Sequence, residues 1–143
     1  MSVVAVREAN EELLADINSL IPQLSSSAAP LSLSELSDLI NRPGTTIFVA
    51  QVSGRALGML TLVTFLIPTG TRAWIEDVVV DSSVRGQGLG KQLVEKALEE
   101  AQSAGASTVD LTSRPARQAA NALYRSVGFE LRETNVYRFD CKQ

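Results

Sequence analysis

The hydrophobic pattern changes period as the chain is followed. Leu13, Leu14, Ile17, Leu20 and Ile21 recur at helical spacing behind Asn10, whose side-chain oxygen suits a helix cap, with Glu11 and Glu12 against the positive helix end. Pro22 predicts the end of this helix, and Ser25 to Pro30 reads as a mobile loop. Ser32-Leu33-Ser34-Glu35 has the spacing of a reciprocal cap and predicts a second helix that stops before the turn Asn41-Arg42-Pro43-Gly44. From Thr45 onward β-branched and aromatic residues take over. Thr46 to Gln51, Ala56 to Thr64 and Trp74 to Val80 predict an antiparallel meander, broken at Ser53-Gly54 and at Pro68-Thr69-Gly70. A short β-branched run, Val3 to Val6, precedes the first helix.

The helical period returns at Leu89. Leu89, Leu93, Ala97, Leu98 and Ala101 form an apolar stripe opposite Lys91, Gln92, Glu95, Lys96, Glu99 and Glu100, and Gly105 closes the helix. Thr108 to Thr112 predicts a strand. Ala119, Ala120, Leu123 and Val127 line a short last helix ending at Gly128, and strands are expected near Glu130 to Arg132 and Val136 to Phe139. There is no internal repeat, and the serine-rich loop is too short for a domain linker. The chain of 143 residues, 45% hydrophobic, is therefore expected to form one domain over residues 1–143 around one sizeable core.

Composition narrows the chemistry. With no histidine and a single cysteine, Ser-His and Cys-His arrangements are excluded, and proton acceptance falls to a carboxylate, a bound water or another group. Cys141 has no internal disulfide partner, which suits a reducing cytoplasm. No metal is expected, since histidine is lacking and the carboxylates are not clustered at ligand spacing. The net charge of -3 argues against a nucleic-acid partner held by phosphate neutralisation. No stretch approaches the roughly 18–20 apolar residues of a membrane span and no basic leader is evident, so a soluble, cytoplasmic protein is expected.

The informative segment is Asp77 to Gly90: an apolar strand, a short polar turn, then Arg85-Gly86-Gln87-Gly88-Leu89-Gly90 running into an amphipathic helix. The first amides of a helix lack intrahelical partners and its dipole is positive there, so glycines that let the backbone approach closely create an anion site suited to a pyrophosphate. Taken alone, such a turn serves equally as structural punctuation. A P-loop is excluded because Gly90-Lys91 is followed by Gln92 instead of Ser or Thr. A dinucleotide fold is disfavoured because several meander strands precede the glycines.

Val78-Val79-Val80, the turn, Arg85 to Gly90, a helix, a strand, and then Ala119-Ala120-Asn121-Ala122-Leu123-Tyr124 with Gly128-Phe129 together resemble the signature of the GNAT acetyltransferase superfamily. The resemblance spans roughly residues 45–140. It implies an α/β (α+β) GNAT fold, with a central mixed, mostly antiparallel sheet of about six or seven strands flanked by about four helices. It implies acetyl-CoA as co-substrate, with Val78, Val79 and Val80 meeting the thioester and pantetheine arm through backbone groups. Arg85, Gly86, Gln87, Gly88, Leu89, Gly90 and Lys91 correspond to the pyrophosphate loop. Tyr124 corresponds to the tyrosine near the cofactor sulfur, proposed to protonate the departing thiolate. Many members carry an asparagine where Arg117 stands, and Asn121 is out of that register, so a cofactor contact by either is open. Homodimers are common in the family, with nothing in this chain fixing an interface.

Acetyl transfer needs a neutral amine, a polarised carbonyl and a stabilised leaving thiolate. Backbone donors near Val78 answer the second need and Tyr124 the third. Glu76, expected in a partly dry cleft, is the leading base, and Glu76-Asp77 resembles the acceptor-contacting pair of the glucosamine-phosphate acetyltransferase branch. Strand alternation leaves open that either carboxylate faces solvent or bonds an arginine. Arg114 and Arg117 suit an acidic or phosphorylated acceptor, and suit solvated loop charges as well; Arg138 has the same ambiguity. Trp74 either lines the acceptor pocket or fills the core. The expected reaction is direct attack by a small-molecule primary amine on acetyl-CoA in a ternary complex. The alternatives are an acyl-CoA-binding sensor or assembly module, and an acetyltransferase acting on protein N-termini or lysines.

Overall fold

A computed structural model describes residues 1–142. The elements run β1 (Ser2–Ala5), α1 (Glu11–Leu24), α2 (Leu33–Asn41), β2 (Thr45–Val52), β3 (Arg55–Ile67), β4 (Gly70–Val80), a 3-10 turn (Ser82–Val84), α3 (Leu89–Ser103), β5 (Val109–Asp110) and α4 (Gln118–Ser126). They build one sheet in the order β1-β2-β3-β4-β5, antiparallel except for the parallel pair β4 and β5. Among the described residues no helix is long and apolar enough to cross a membrane.

Local chemistry accounts for most boundaries. Asn10 caps α1 by accepting from the Leu13 amide at 2.8 Å. Ser32 and Glu35 close the capping box of α2 at 3.1 and 2.9 Å. Ser53 and Gly54 both have positive φ, 51° and 79°, the geometry of a tight turn whose twist matches the hairpin β2–β3. Pro22 does not end α1 as expected. It lies inside the last turn, where only one ladder bond is forfeited, and the Ser25 amide still reaches the Ile21 carbonyl at 3.0 Å.

The sheet has five strands, fewer than expected. Residues 130–132 and 136–139 form no strand, and Leu131, Val136, Tyr137 and Phe139 stand 72% to 89% exposed. The strand expected over Thr108 to Thr112 shrinks to Val109–Asp110, because β5 meets β4 only at Ala73 and Trp74 before the two part.

Two apolar layers sandwich the sheet. Phe48, Ala50, Leu60, Leu62, Ala73 and Ile75 face Leu89, Leu93, Val94 and Ala97 of α3 and Tyr124 of α4. Ile47, Val49, Met59 and Val79 face Ile17 and Leu20 of α1 and Leu36 of α2. The second layer is tied by a polar bond that the sequence does not announce: Asp16, 8% exposed, accepts from Arg55 Nε at 2.7 Å and from the Ala56 amide at 2.9 Å. Asp16→Ala orphans that buried amide and frees the guanidinium, which is itself largely exposed. It is therefore expected to destabilise the protein by about 2 kcal/mol, read from urea denaturation midpoints. An unchanged midpoint would show that water takes over as acceptor for the Ala56 amide.

Strand β4 contains the feature that positions the site. Met59 pairs with Val79 and Thr61 with Glu76, so Leu60 alone stands opposite both Asp77 and Val78. This is a β-bulge, and Asp77 adopts the left-handed conformation at φ 52°. The extra residue shifts the alternation by one. Ile75 faces α3, and so do Val78 and Val80, whereas Val79 turns to α1 and α2.

Candidate functional site

A cleft of about 1830 Å³ opens where β4 and β5 separate. Pairing ends at Trp74 with Asp110, and the bulge then bends β4 further from its neighbour. The stretch from Val78 to Val80 thus borders the cleft with its β5-side backbone unclaimed by a strand partner. Val78 and Val80 are half-buried on the α3 layer, which leaves their backbone as the part offered to a ligand. Opposite them run Leu111 to Ser113 and the start of α4.

The mouth is formed by the glycine loop. Gly88 is the N-cap of α3, with φ 79° and no side-chain cap, and the ladder begins only with the Gln92 amide bonding the Gly88 carbonyl at 3.1 Å. The amides from Gly88 to Lys91 therefore point out of the helix without intrahelical acceptors, at its positive end. Gly86 and Gly88 both have positive φ, and a Cβ on either would meet nothing within 4 Å, so open space lies above them. Gly90 is glycine for another reason: a Cβ there would approach Leu123 Cδ2 to 3.3 Å, so its absence lets α4 pack against α3. Unsatisfied amides, a clear approach and a positive helix end fit a pyrophosphate-bearing ligand.

The loop's entry is clamped from α1. Gln23 donates through Nε2 to Asp81 Oδ2 at 2.9 Å and accepts from the Ser82 amide at 3.1 Å. Asp81 Oδ1 accepts from the Ser83 amide at 2.9 Å, capping the 3-10 turn. Hydrogen bonds from Ser83 and Gln23, with a smaller contribution from Arg85, hold the Asp81 carboxyl down at about 2, against an ordinary 3.8. A lowered carboxylate pKa favours the folded state above the unfolded value, and the effect disappears as pH falls through the folded value. The Asp81 cap is therefore expected to persist at pH 4 and to be lost only near pH 2. NMR titration of its carboxyl carbon checks this, with an ordinary midpoint near 3.8 refuting it.

The far wall belongs to α4. Tyr124 is 9% exposed, meets Phe129 edge-on at 5.8 Å, and lines the cleft. Burial raises its pKa, with Arg117 opposing the shift, so the phenol keeps its proton at neutral pH. Asn121 is turned inward to the backbone: its amide donates to the Arg114 carbonyl at 2.9 Å and the Arg117 carbonyl at 2.7 Å. It fastens the loop before α4. Arg114 and Arg117 are exposed side chains at the cleft rim.

The cleft gathers Val78, Val79, Val80, Arg85, Gly86, Gly88, Leu89, Gly90, Arg114 and Tyr124 of the expected site residues. Gln87, Lys91, Glu76 and Asp77 lie outside its lining and are exposed. Glu76 is thus not in a dry environment; Trp74 Nε1 donates to its carboxylate at 2.8 Å, fixing it beside the indole on one face of β4. Sequence reasoning missed Gln23, Asp81 and Ser113. Ser113 Oγ is buried without a hydrogen-bond partner, which no other described side-chain polar atom is. The only hint of it was its place directly after the strand pattern of Thr108 to Thr112.

Comparison with known proteins identifies the family. Residues 11–129 match the Acetyltransferase (GNAT) family. The chain is 36% identical over 119 residues to glucosamine 6-phosphate N-acetyltransferase of Trypanosoma brucei brucei, covering 76% of this chain and 78% of that protein. A crystal structure of a Trypanosoma brucei acetyltransferase superposes with TM-score 0.79 at 31% identity, over 97% of this chain and 98% of the other. An aminoglycoside acetyltransferase from an uncultured soil metagenomic sample superposes with TM-score 0.82 at 22% identity, covering 99% and 97%, a likeness of fold. The diverging strands, the uncapped helix behind a glycine loop and the family match converge: this chain belongs to the GNAT family of acetyltransferases.

Proposed function

We propose that the protein moves an acetyl group from acetyl-CoA to the primary amine of a small molecule by direct attack in a ternary complex. The observation that carries this reading is the alignment, along one cleft, of the α3 amides at its mouth, the unpaired backbone edge of Val78 to Val80 in its middle and the protonated Tyr124 on its far wall. Acetyl-CoA, when bound, supplies the activated acyl group. The amides from Gly88 to Lys91, with the backbone of Arg85 to Gln87, hold the pyrophosphate, and the Val78 to Val80 edge holds the pantetheine arm and polarises the thioester carbonyl. The amine nitrogen forms the new bond to the carbonyl carbon as the carbon–sulfur bond breaks. The nitrogen sheds one proton and the leaving sulfur gains one, the latter from the Tyr124 hydroxyl.

Glu76 is the proposed acceptor of the amine proton, either directly or through water, and Trp74 holds its carboxylate in place. Asp77 and Arg114 are proposed to contact the acceptor. The Trypanosoma relative points to a phosphorylated amino sugar as the first acceptor to test, and the exposed arginines Arg114 and Arg117 at the rim suit its phosphate. A homodimer in the cytoplasm is the expected setting, in keeping with the exposed free thiol of Cys141. Calorimetric titration with acetyl-CoA, followed by thiol release across a panel of amines that includes glucosamine 6-phosphate, tests the proposal. Binding with amine-dependent release supports it. Binding without release from any amine would favour an acyl-CoA sensor, and absence of binding would overturn the assignment.

A further inference from the structure

Among the described side chains, one buried polar atom has no hydrogen-bond partner: the hydroxyl oxygen of Ser113, which lines the cleft. Buried polar groups are almost always bonded, so an orphan in the wall of a binding cleft marks a bond that a ligand completes. Its setting is firm. The Arg114 carbonyl that follows accepts from the Arg117 amide at 3.0 Å and from Asn121 Nδ2 at 2.9 Å, which fastens the chain after Ser113 to the first turns of α4.

The sheet register gives the level of Ser113 along the cleft. The last β4–β5 pair is Trp74 with Asp110, and three residues further along each strand Ser113 comes level with Asp77. The bulge brings Val78 to the same level, since Leu60 stands opposite both. Ser113 is therefore across the cleft from the backbone proposed to meet the thioester, and away from the glycine loop at the mouth. The face follows from alternation. Leu111 and Ser113 are half-buried while Thr112 and Arg114 are exposed, and Leu111 packs on the layer that contains Tyr124. The Ser113 hydroxyl thus shares a side of the sheet with the Tyr124 phenol.

We propose that Ser113 is a second donor to the leaving sulfur. As the carbon–sulfur bond breaks, the sulfur takes its proton from Tyr124, and the Ser113 hydroxyl donates a hydrogen bond to the same sulfur while keeping its own proton. A fixed donor aimed at the atom where charge develops lowers the barrier without reorganising. The proposal rests on acetyl transfer in this cleft and adds to it a catalytic residue that carries no titratable group.

Ser113→Ala tests it. Single-turnover thiol release is expected to slow about tenfold, the loss of one hydrogen bond made as the bond breaks, with the Kd for acetyl-CoA within about twofold. The thiol pKa of bound coenzyme A, read from thiolate absorbance in the ultraviolet, is expected to rise by about one pH unit. The variant is expected to melt no lower than the wild type, because removing an unbonded hydroxyl takes no bond from the fold. An unchanged release rate would leave water as the hydroxyl's partner and overturn the proposal. A slower rate with an unchanged thiol pKa would assign the hydroxyl to another atom of the thioester, and weaker binding at full rate would assign it to the pantetheine arm; either result overturns it. A clearly lower melting temperature would mean a bond within the protein, with the same consequence. Failure of acetyl transfer itself is distinguishable, since it shows in the wild type as binding without thiol release from any amine, and it would overturn both.

Discussion

Tyr124→Phe is expected to lower kcat about 100-fold while leaving the Kd for acetyl-CoA within about twofold, the separation that loss of a general acid produces. The ring would remain, so the edge-on contact with Phe129 and the packing of α4 against the core would survive. What would vanish is one hydroxyl whose proton is held by burial. Because that pKa lies above its ordinary value, the phenol is available as a donor throughout the neutral range, and among the described residues no other buried titratable side chain lines the cleft. Steady-state kinetics paired with calorimetry reads both quantities. An unchanged kcat would mean that the thiolate leaves unprotonated or takes its proton from water, and Tyr124 would revert to a core residue.

Gly88→Val acts on the opposite quantity. At φ 79° a β-branched side chain is forced into the left-handed region, which costs about 1–2 kcal/mol of strain, and relaxation of that strain would re-aim the first amides of α3. The added side chain would also occupy the open approach above the loop, where at present a Cβ would meet nothing. The expected result is a rise of about 100-fold or more in the Kd for acetyl-CoA, equivalent to ~2.7 kcal/mol, with the protein still folded. Thermal melting separates this from unfolding. Wild-type affinity in the folded variant would remove the pyrophosphate from this loop.

The parts of the molecule legible in the sequence are those decided within a few residues. Helix caps at Asn10 and Ser32, the tight turn at Ser53-Gly54 and the glycine loop ahead of α3 all depend on neighbours in the chain, and each stands where its pattern placed it. Bonds between distant positions left no such trace. Asp16 and Arg55 are 39 residues apart and Gln23 and Asp81 are 58 apart, and each side chain alone reads as a solvated surface group. The bulge was illegible for a related reason: Trp74 to Val80 is an unbroken strand pattern, and only the register against β3 exposes the extra residue. The final strands failed differently. Their pattern is present, but a strand needs a neighbour, and within this chain the neighbouring edge lies across the cleft.

That extra residue separates what the fold requires from what the site requires. Were Asp77 deleted, Leu60 would face Val78 alone, the ladder from Met59 to Thr61 would run without interruption, and Val78, Val79 and Val80 would keep their present faces. The core would lose nothing. A straight β4, however, would lie closer to β5 and lose the bend that leaves its backbone edge free, so a chain one residue shorter would keep its core and lose the edge on which the proposed acetyl-CoA site depends.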